Sequence, residues 1–273
     1  MRDDKQYRER ARRSTDLIAL IAFCGFLFFA GLQVIGLLGA DEPRYAQIAR
    51  EMLARHDWVT PVLFGQPWLE KPPLLYWGAM LAYKAAGGVT GWAARLPSAA
   101  LCTLMVFFIY VWARRFRRGM QLDAALITAA SVLIIGFARG ASTDMPLAAT
   151  FTIAMLSWYG WYESQNRAWL LAFYAFVGLG TLAKGPVAVF LAGLIVVAFA
   201  ALRRDSRLVL RTLWLPGIAL YLAVVLPWFI LVQRANPEFF RVFILEHNLA
   251  RYTTDVYRHK QPFWYYPPVA LIG

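Results

Sequence analysis

Two acids stand side by side at Asp41 and Glu42, directly after the charge-free run Leu17–Ala40. Arg44 follows one helical turn after Asp41, and a second acid–base pair, Glu70–Lys71, precedes Pro72–Pro73. A carboxylate near a membrane surface can take a proton or guide a nucleophile. Arginine grips phosphate bidentately and lysine binds it as a point charge. Further along, Asp144 lies in the turn ARGASTDMP, Lys184 in AKGP, and Glu246, His247 and Arg251 in EHNLARY. Spacing of four or five residues brings Glu246 or His247 near Arg251 on one helical face, and a neutral histidine with a carboxylate can bind a divalent metal together with Glu70. Each feature has a plainer use. An acid before Pro43 favours the positive end of a helix dipole. Asp144 followed by Pro146 is a good helix start, and Lys184 before Gly185 a good helix end. One acid suffices for a helix start, however, and two adjacent ones point to different sides.

The elements that must position these residues are membrane helices. The 273-residue chain is 60% apolar and only 16% charged, with a mean hydropathy of +0.49, whereas soluble domains are nearer a quarter charged. The net charge of +12 does not point to nucleic acid, because the basic residues fall in short clusters between apolar runs. Cys24 and Cys102 sit inside apolar runs as packing residues, without a disulfide or zinc pattern. Runs of membrane length are expected at 17–39, 96–113, 121–138, 145–162, 168–183, 186–202 and 212–232. An eighth begins at Phe263 and is cut off at Gly273, which reads as an incomplete protein. The expected organisation is a cytoplasmic tail, 1–16, and a transmembrane domain, 17–273. That domain has two large outside loops, 40–95 and 233–262.

Orientation follows from Lys and Arg. With the N-terminus inside, 15 of the 28 basic residues fall in four short cytoplasmic segments, and the other 13 are spread over longer outside loops. The same threading puts Asp41, Glu42, Glu70, Lys71, Asp144, Lys184, Glu246 and His247 on one outside face, while Asp123 and Glu163 fall inside. In Pro43–Arg55, Tyr45, Ile48, Ala49, Met52 and Leu53 recur at helical spacing between charged residues, predicting an amphipathic helix in the interface plane. His56–Leu69, with Pro61, Gly65 and Pro67, predicts a loop or short hairpin, and Pro72–Ala86 a second interfacial helix stopped by Gly87–Gly88.

DEPRYA (41–46), EKPPLLYW (70–77), ARLPSA (94–99), TDMPLA (143–148), AKGP (183–186) and EHNLARY (246–252) followed by PFWYY (262–266) form an ordered series. That series resembles the 4-amino-4-deoxy-L-arabinose transferases of lipid A. It is also similar to the wider GT-C glycosyltransferases related to protein O-mannosyltransferases. The resemblance covers roughly residues 16–270. It implies an all-α integral membrane fold, a GT-C type multispan bundle with two amphipathic helices in the first outside loop. It implies inverting transfer of a sugar from a polyprenyl-phosphate donor to a lipid, glycan or protein acceptor at the periplasmic face of a bacterial inner membrane. Asp41 and Asp144 would be catalytic. Glu42, Arg44, Tyr45, Lys71, Lys184 and Arg251 would bind substrate, with Arg44, Lys71 and Arg251 on the lipid phosphate. Glu70 with His247 would match a divalent-metal position. The rival reading is a transporter or flippase of lipid-linked sugars. Such a protein is expected to carry paired repeats and broken midplane helices, and the sequence shows no repeat.

Overall fold

The structure is a computed structural model that describes residues 2–243 together with Trp264 and Pro268, with side chains described from Arg13 onward. It is a bundle of helices with one small hairpin. The first helix, α1 (Arg2–Cys24), runs through the expected tail boundary at residue 16 and continues as a π-helical turn, Gly25–Phe29. The apolar run 17–39 is therefore not one straight span. Past Phe29 it breaks into turns, with Gly31 and Gly39 at positive φ, conformations that side chains other than glycine's resist.

The expected loop 40–95 folds as its periodicity dictates. Helix α2 (Asp41–Ala54) buries Tyr45, Ala46, Ile48, Ala49 and Met52 against α3 (Leu74–Ala85), whose buried face includes Leu75, Tyr76, Ala79, Met80 and Tyr83. Between them β1 (Val62–Leu63) and β2 (Gln66–Pro67) make a minimal antiparallel hairpin. Glu51 ties the turn of that hairpin down by accepting the N–H groups of Phe64 (2.8 Å) and Gly65 (3.0 Å). The stretch leading into the hairpin is pinned at a distance in sequence. Trp77 Nε1 donates to the Trp58 carbonyl, Trp228 Nε1 to that of Val59, and the Asn236 amide to Thr60 Oγ1.

Helix α4 (Gly91–Phe116) crosses the molecule from the outside loop. At 1.5 Å per residue its 26 residues extend about 39 Å. The expected span 121–138 is two helices, α5 (Gln121–Ala130) and α6 (Val132–Ala138), bent by 67° at Ser131. Helices α7 (Asp144–Ser164) and α8 (Arg167–Lys184) form an antiparallel pair whose turn holds Gln165 at positive φ, while Asn166 caps α8. Then come α9 (Val187–Leu202), the short α10 (Arg207–Thr212) and α11 (Leu215–Ala235).

By length and composition α4 and α11 are long and apolar enough to cross a bilayer, and the bent pair α5–α6 makes a third if taken as one span. The expected runs 145–162, 168–183, 186–202 and 212–232 fall largely on α7, α8, α9 and α11. α9 is apolar but has only 16 residues. α7 and α8 are long enough, yet their buried faces carry Thr150, Ser157, Trp158, Trp161, Tyr174 and Thr181, which lower hydropathy while still packing inside the bundle. All of 244–262, and the expected eighth span apart from Trp264 and Pro268, lie outside the described residues. Cys24 and Cys102 are buried and free, as expected of packing residues.

Candidate active site

Helix α2 places Asp41 and Glu42 in its first turn, about 100° apart around the axis. Asp41 faces out of the fold, its side chain 63% exposed, and accepts a hydrogen bond from Arg44 at 3.0 Å. The Arg44 guanidinium lies 5.3 Å from the centre of the Trp68 ring, so a cation and an aromatic face are stacked beside the acid. One residue after Arg44, Tyr45 turns inward. Its ring lies 6.0 Å from that of Tyr76 on α3.

Tyr45 shows which distant residues meet here. Burial, and then the negative charge of Asp41, push its hydroxyl up to about 12, with further contributions from Asp144 and Glu70 opposed by Arg44. Carboxylates from three loops and the Arg44 cation are thus within electrostatic reach of one phenol. Tyr76 is fully buried, feels Tyr45 and Glu70, and is raised further. Among the described residues, its hydroxyl and the Trp68 Nε1 are buried without a hydrogen-bond partner. Asp144 opens α7 and forms an ion pair with Lys184, the last residue of α8. Gly185 then turns the chain at φ 86°, and a Cβ there would meet Phe243 at 2.8 Å. Asp41, Arg44, Tyr45, Glu70, Asp144 and Lys184 therefore share one region. Lys71 sits half-buried beside Glu70, just before α3.

Glu42 departs from the expectation that it holds substrate. Its carboxylate is buried and accepts four donors: Arg95 Nε (3.0 Å) and an Arg95 terminal nitrogen (2.7 Å), the Leu38 N–H (2.6 Å) and the Ala141 N–H (2.7 Å). Arg95 in turn donates to the carbonyls of Leu32, Ile35 and Gly36, each at 2.8 Å. Burial alone raises the Glu42 carboxyl, but the Arg95 and backbone bonds outweigh it and hold the group below its ordinary value. With so many donors on its two oxygens, Glu42 has little capacity for a ligand. It joins the turns after the first helix, the start of α2, helix α4 and the loop before Asp144. Arg95 is the residue that sequence reasoning left without a role. The signal was present, since a lone arginine at the head of the apolar run 96–113 must find a partner.

His247 and Arg251 lie outside the described residues. Among the described residues no three of His, Cys, Asp and Glu come together to hold a metal ion, and of the expected metal pair only Glu70 is described.

Residues 70–231 match the family described as dolichyl-phosphate-mannose-protein mannosyltransferase. The chain is 32% identical over 265 residues to the undecaprenyl phosphate-alpha-4-amino-4-deoxy-L-arabinose arabinosyl transferase of Aeromonas hydrophila, covering 93% of this chain and 47% of that protein. It is 32% identical over 270 residues to the transferase of the same name from Pseudomonas aeruginosa, covering 96% and 48%. The chain thus spans about half the length of the curated relatives it matches. The crystal structure of ArnT from Cupriavidus metallidurans bound to undecaprenyl phosphate superposes with a TM-score of 0.85 at 29% identity, covering 94% of this chain and 48% of that one. A helical membrane fold, an acid-and-cation cluster at one end and these matches agree: the chain belongs to the dolichyl-phosphate-mannose-protein mannosyltransferase family.

Proposed function

We propose that this chain carries the catalytic face of an inverting glycosyltransferase that moves a sugar, an aminopentose in its relatives' names, from undecaprenyl phosphate to a membrane lipid. The observation that carries the reading is the meeting of Asp41, Asp144 and Glu70 with Arg44 around Tyr45. Carboxylates from three separate loops have no folding reason to converge beside cations at a membrane surface.

In the proposed reaction the acceptor oxygen attacks the anomeric carbon from the face opposite the phosphate. A new carbon–oxygen bond forms as the bond to the phosphate oxygen breaks, and the leaving polyprenyl phosphate keeps the electron pair. Asp41, exposed and close to Arg44, takes the proton of an acceptor hydroxyl, or only orients an acceptor phosphate that is already ionised. Arg44 and Lys71, with Arg251, bind the leaving phosphate and stabilise its growing charge. Asp144 holds Lys184 toward the same region. Of the expected metal pair Glu70 is the described member, and a metal held by Glu70 and His247 predicts activity lost with EDTA and restored by a divalent salt. We place this face in the periplasm, from the basic clusters at the opposite end.

The test is the full-length protein in proteoliposomes with an undecaprenyl-phosphate-linked aminopentose and a lipid acceptor, read by mass spectrometry of the lipids. A product heavier by one sugar is expected. Movement of the donor across the bilayer with no product formed would replace transfer by transport.

A further inference from the structure

At the opposite end of α4 lies an open, partly polar cavity of about 470 Å³. Its wall carries Arg13 from α1, Arg114 and Arg115 from the last turn of α4 and Arg118 from the turn after it, with Asp16 and Tyr110 among its lining residues. Arg115 is 20 residues beyond Arg95, roughly 30 Å along the helix, which is the thickness of a hydrocarbon core. The cavity therefore lies at the bilayer interface remote from the Asp41–Asp144 region.

Its electrostatics are lopsided. Among the described residues Asp16 is the one carboxylate in the lining; it is buried and accepts the Tyr110 hydroxyl at 3.1 Å. Among the described residues none of the four arginines has a carboxylate partner, and Arg115 only overlies the Phe116 ring. Arg117, in the middle of the same basic run, does not line the cavity; it is paired with Glu163 at 2.6 Å. A basic helix end is ordinary, since cations complement the C-terminal dipole. That explains Arg114 and Arg115 but requires neither a cavity nor an arginine contributed by another helix.

Next to the arginines the surface turns apolar. Val111, which lines the cavity one turn before Arg114, is 54% exposed. A ligand that fits both halves has an anionic head and hydrocarbon tails. We infer that this cavity is a binding site for the phosphate headgroup of an anionic phospholipid, with Arg13, Arg114, Arg115 and Arg118 as its donors and the acyl chains leaving over Val111. Arginines in such a crevice bind lipid phosphate by charge-assisted, bidentate bonds. The site is separate from the proposed catalytic face and does not depend on it.

The experiment is native mass spectrometry of the detergent-purified protein titrated with dioleoylphosphatidylglycerol or dioleoylphosphatidylcholine. The protein should bind the anionic lipid at least about fivefold more tightly. R114Q/R115Q/R118Q should lose that preference and R117Q should keep it, with helix content checked by circular dichroism. If the triple variant does not fold, R13Q/R118Q takes its place and should weaken the anionic lipid alone. Equal binding of the two lipids, or an unchanged preference in the folded triple or double variant, would overturn the assignment. So would displacement of phosphatidylglycerol by millimolar inorganic phosphate, which would make the cavity a site for soluble anions.

Discussion

Asp41 and Glu42 are adjacent in sequence, yet the helix turns them toward different surroundings, and the two acids should fail differently when neutralised. Asp41 is exposed and its described partner is Arg44 alone. Asp41→Asn should therefore leave expression and thermal stability close to wild type while lowering sugar transfer by about 100-fold or more, the usual share of a positioned base. Full turnover by the folded variant would remove Asp41 from the reaction. Glu42 is bound by Arg95 and two backbone N–H groups, and Glu42→Gln removes a buried charge partner, which costs about 3–5 kcal/mol. Its pH dependence has a definite sign. The folded carboxyl is held below its ordinary value, so its contribution is present above that value and disappears as pH falls through the depressed one. Melting temperature measured between neutral and acid pH should drop steeply in wild type and less steeply in Glu42→Gln. Some slope will remain, because Glu51 and Glu163 are depressed as well. Parallel curves for the two proteins would show that the Glu42–Arg95 bond is not what holds the turns together at neutral pH.

Between elements, the closest constraint near the site is the crossing of α3 over α4. A Cβ on Gly78 would come within 2.8 Å of Pro97 Cβ and 2.9 Å of its Cγ, so α3 approaches α4 as closely as a bare glycine allows. Helix α3 also carries Tyr76 and begins three residues after Lys71. Gly78→Ala should push α3 outward, costing about 1–3 kcal/mol as overpacking, and should raise the apparent KM for the lipid-linked donor more than it lowers kcat. Adding Pro97→Ala should recover a large part of both losses, because the ring is what the methyl meets. Strictly additive effects would place the constraint elsewhere. These two interfacial helices were the most legible elements in the sequence. Tyr45, Ile48, Ala49 and Met52 declare the buried face of α2 by spacing alone, and the Pro61–Gly65–Pro67 pattern marks the hairpin. The long runs were less legible. Hydropathy sees neither the breaks at Gly31 and Ser131 nor the polar interior of α7 and α8, because it averages over the residues that pack and those that face lipid.

Across the whole molecule, the sequence offered the acids one by one but could not show that Asp41, Glu70 and Asp144 meet, since nothing local links residues about 100 positions apart. The Glu42–Arg95 bond, which ties the segments before Asp41 and Asp144 to α4, was equally invisible: two charges at the edges of apolar runs carry no sign of being each other's partner. What the sequence did offer at this scale was charge asymmetry, and that yields a test independent of activity. The two native cysteines are buried, so a Cys24→Ala/Cys102→Ala background should fold and resist thiol reagents. Phe64, at the tip of the outside hairpin, is 80% exposed, and Leu202, at the end of α9, is 84% exposed. If the basic clusters set the topology, Phe64→Cys should react with a membrane-impermeant maleimide supplied from the periplasmic side of intact cells. Leu202→Cys should react only after the membrane is opened. Labelling of both from the same side would break the threading, and the reverse pattern would put the Asp41–Asp144 face in the cytoplasm, where a periplasmic transfer reaction has no place.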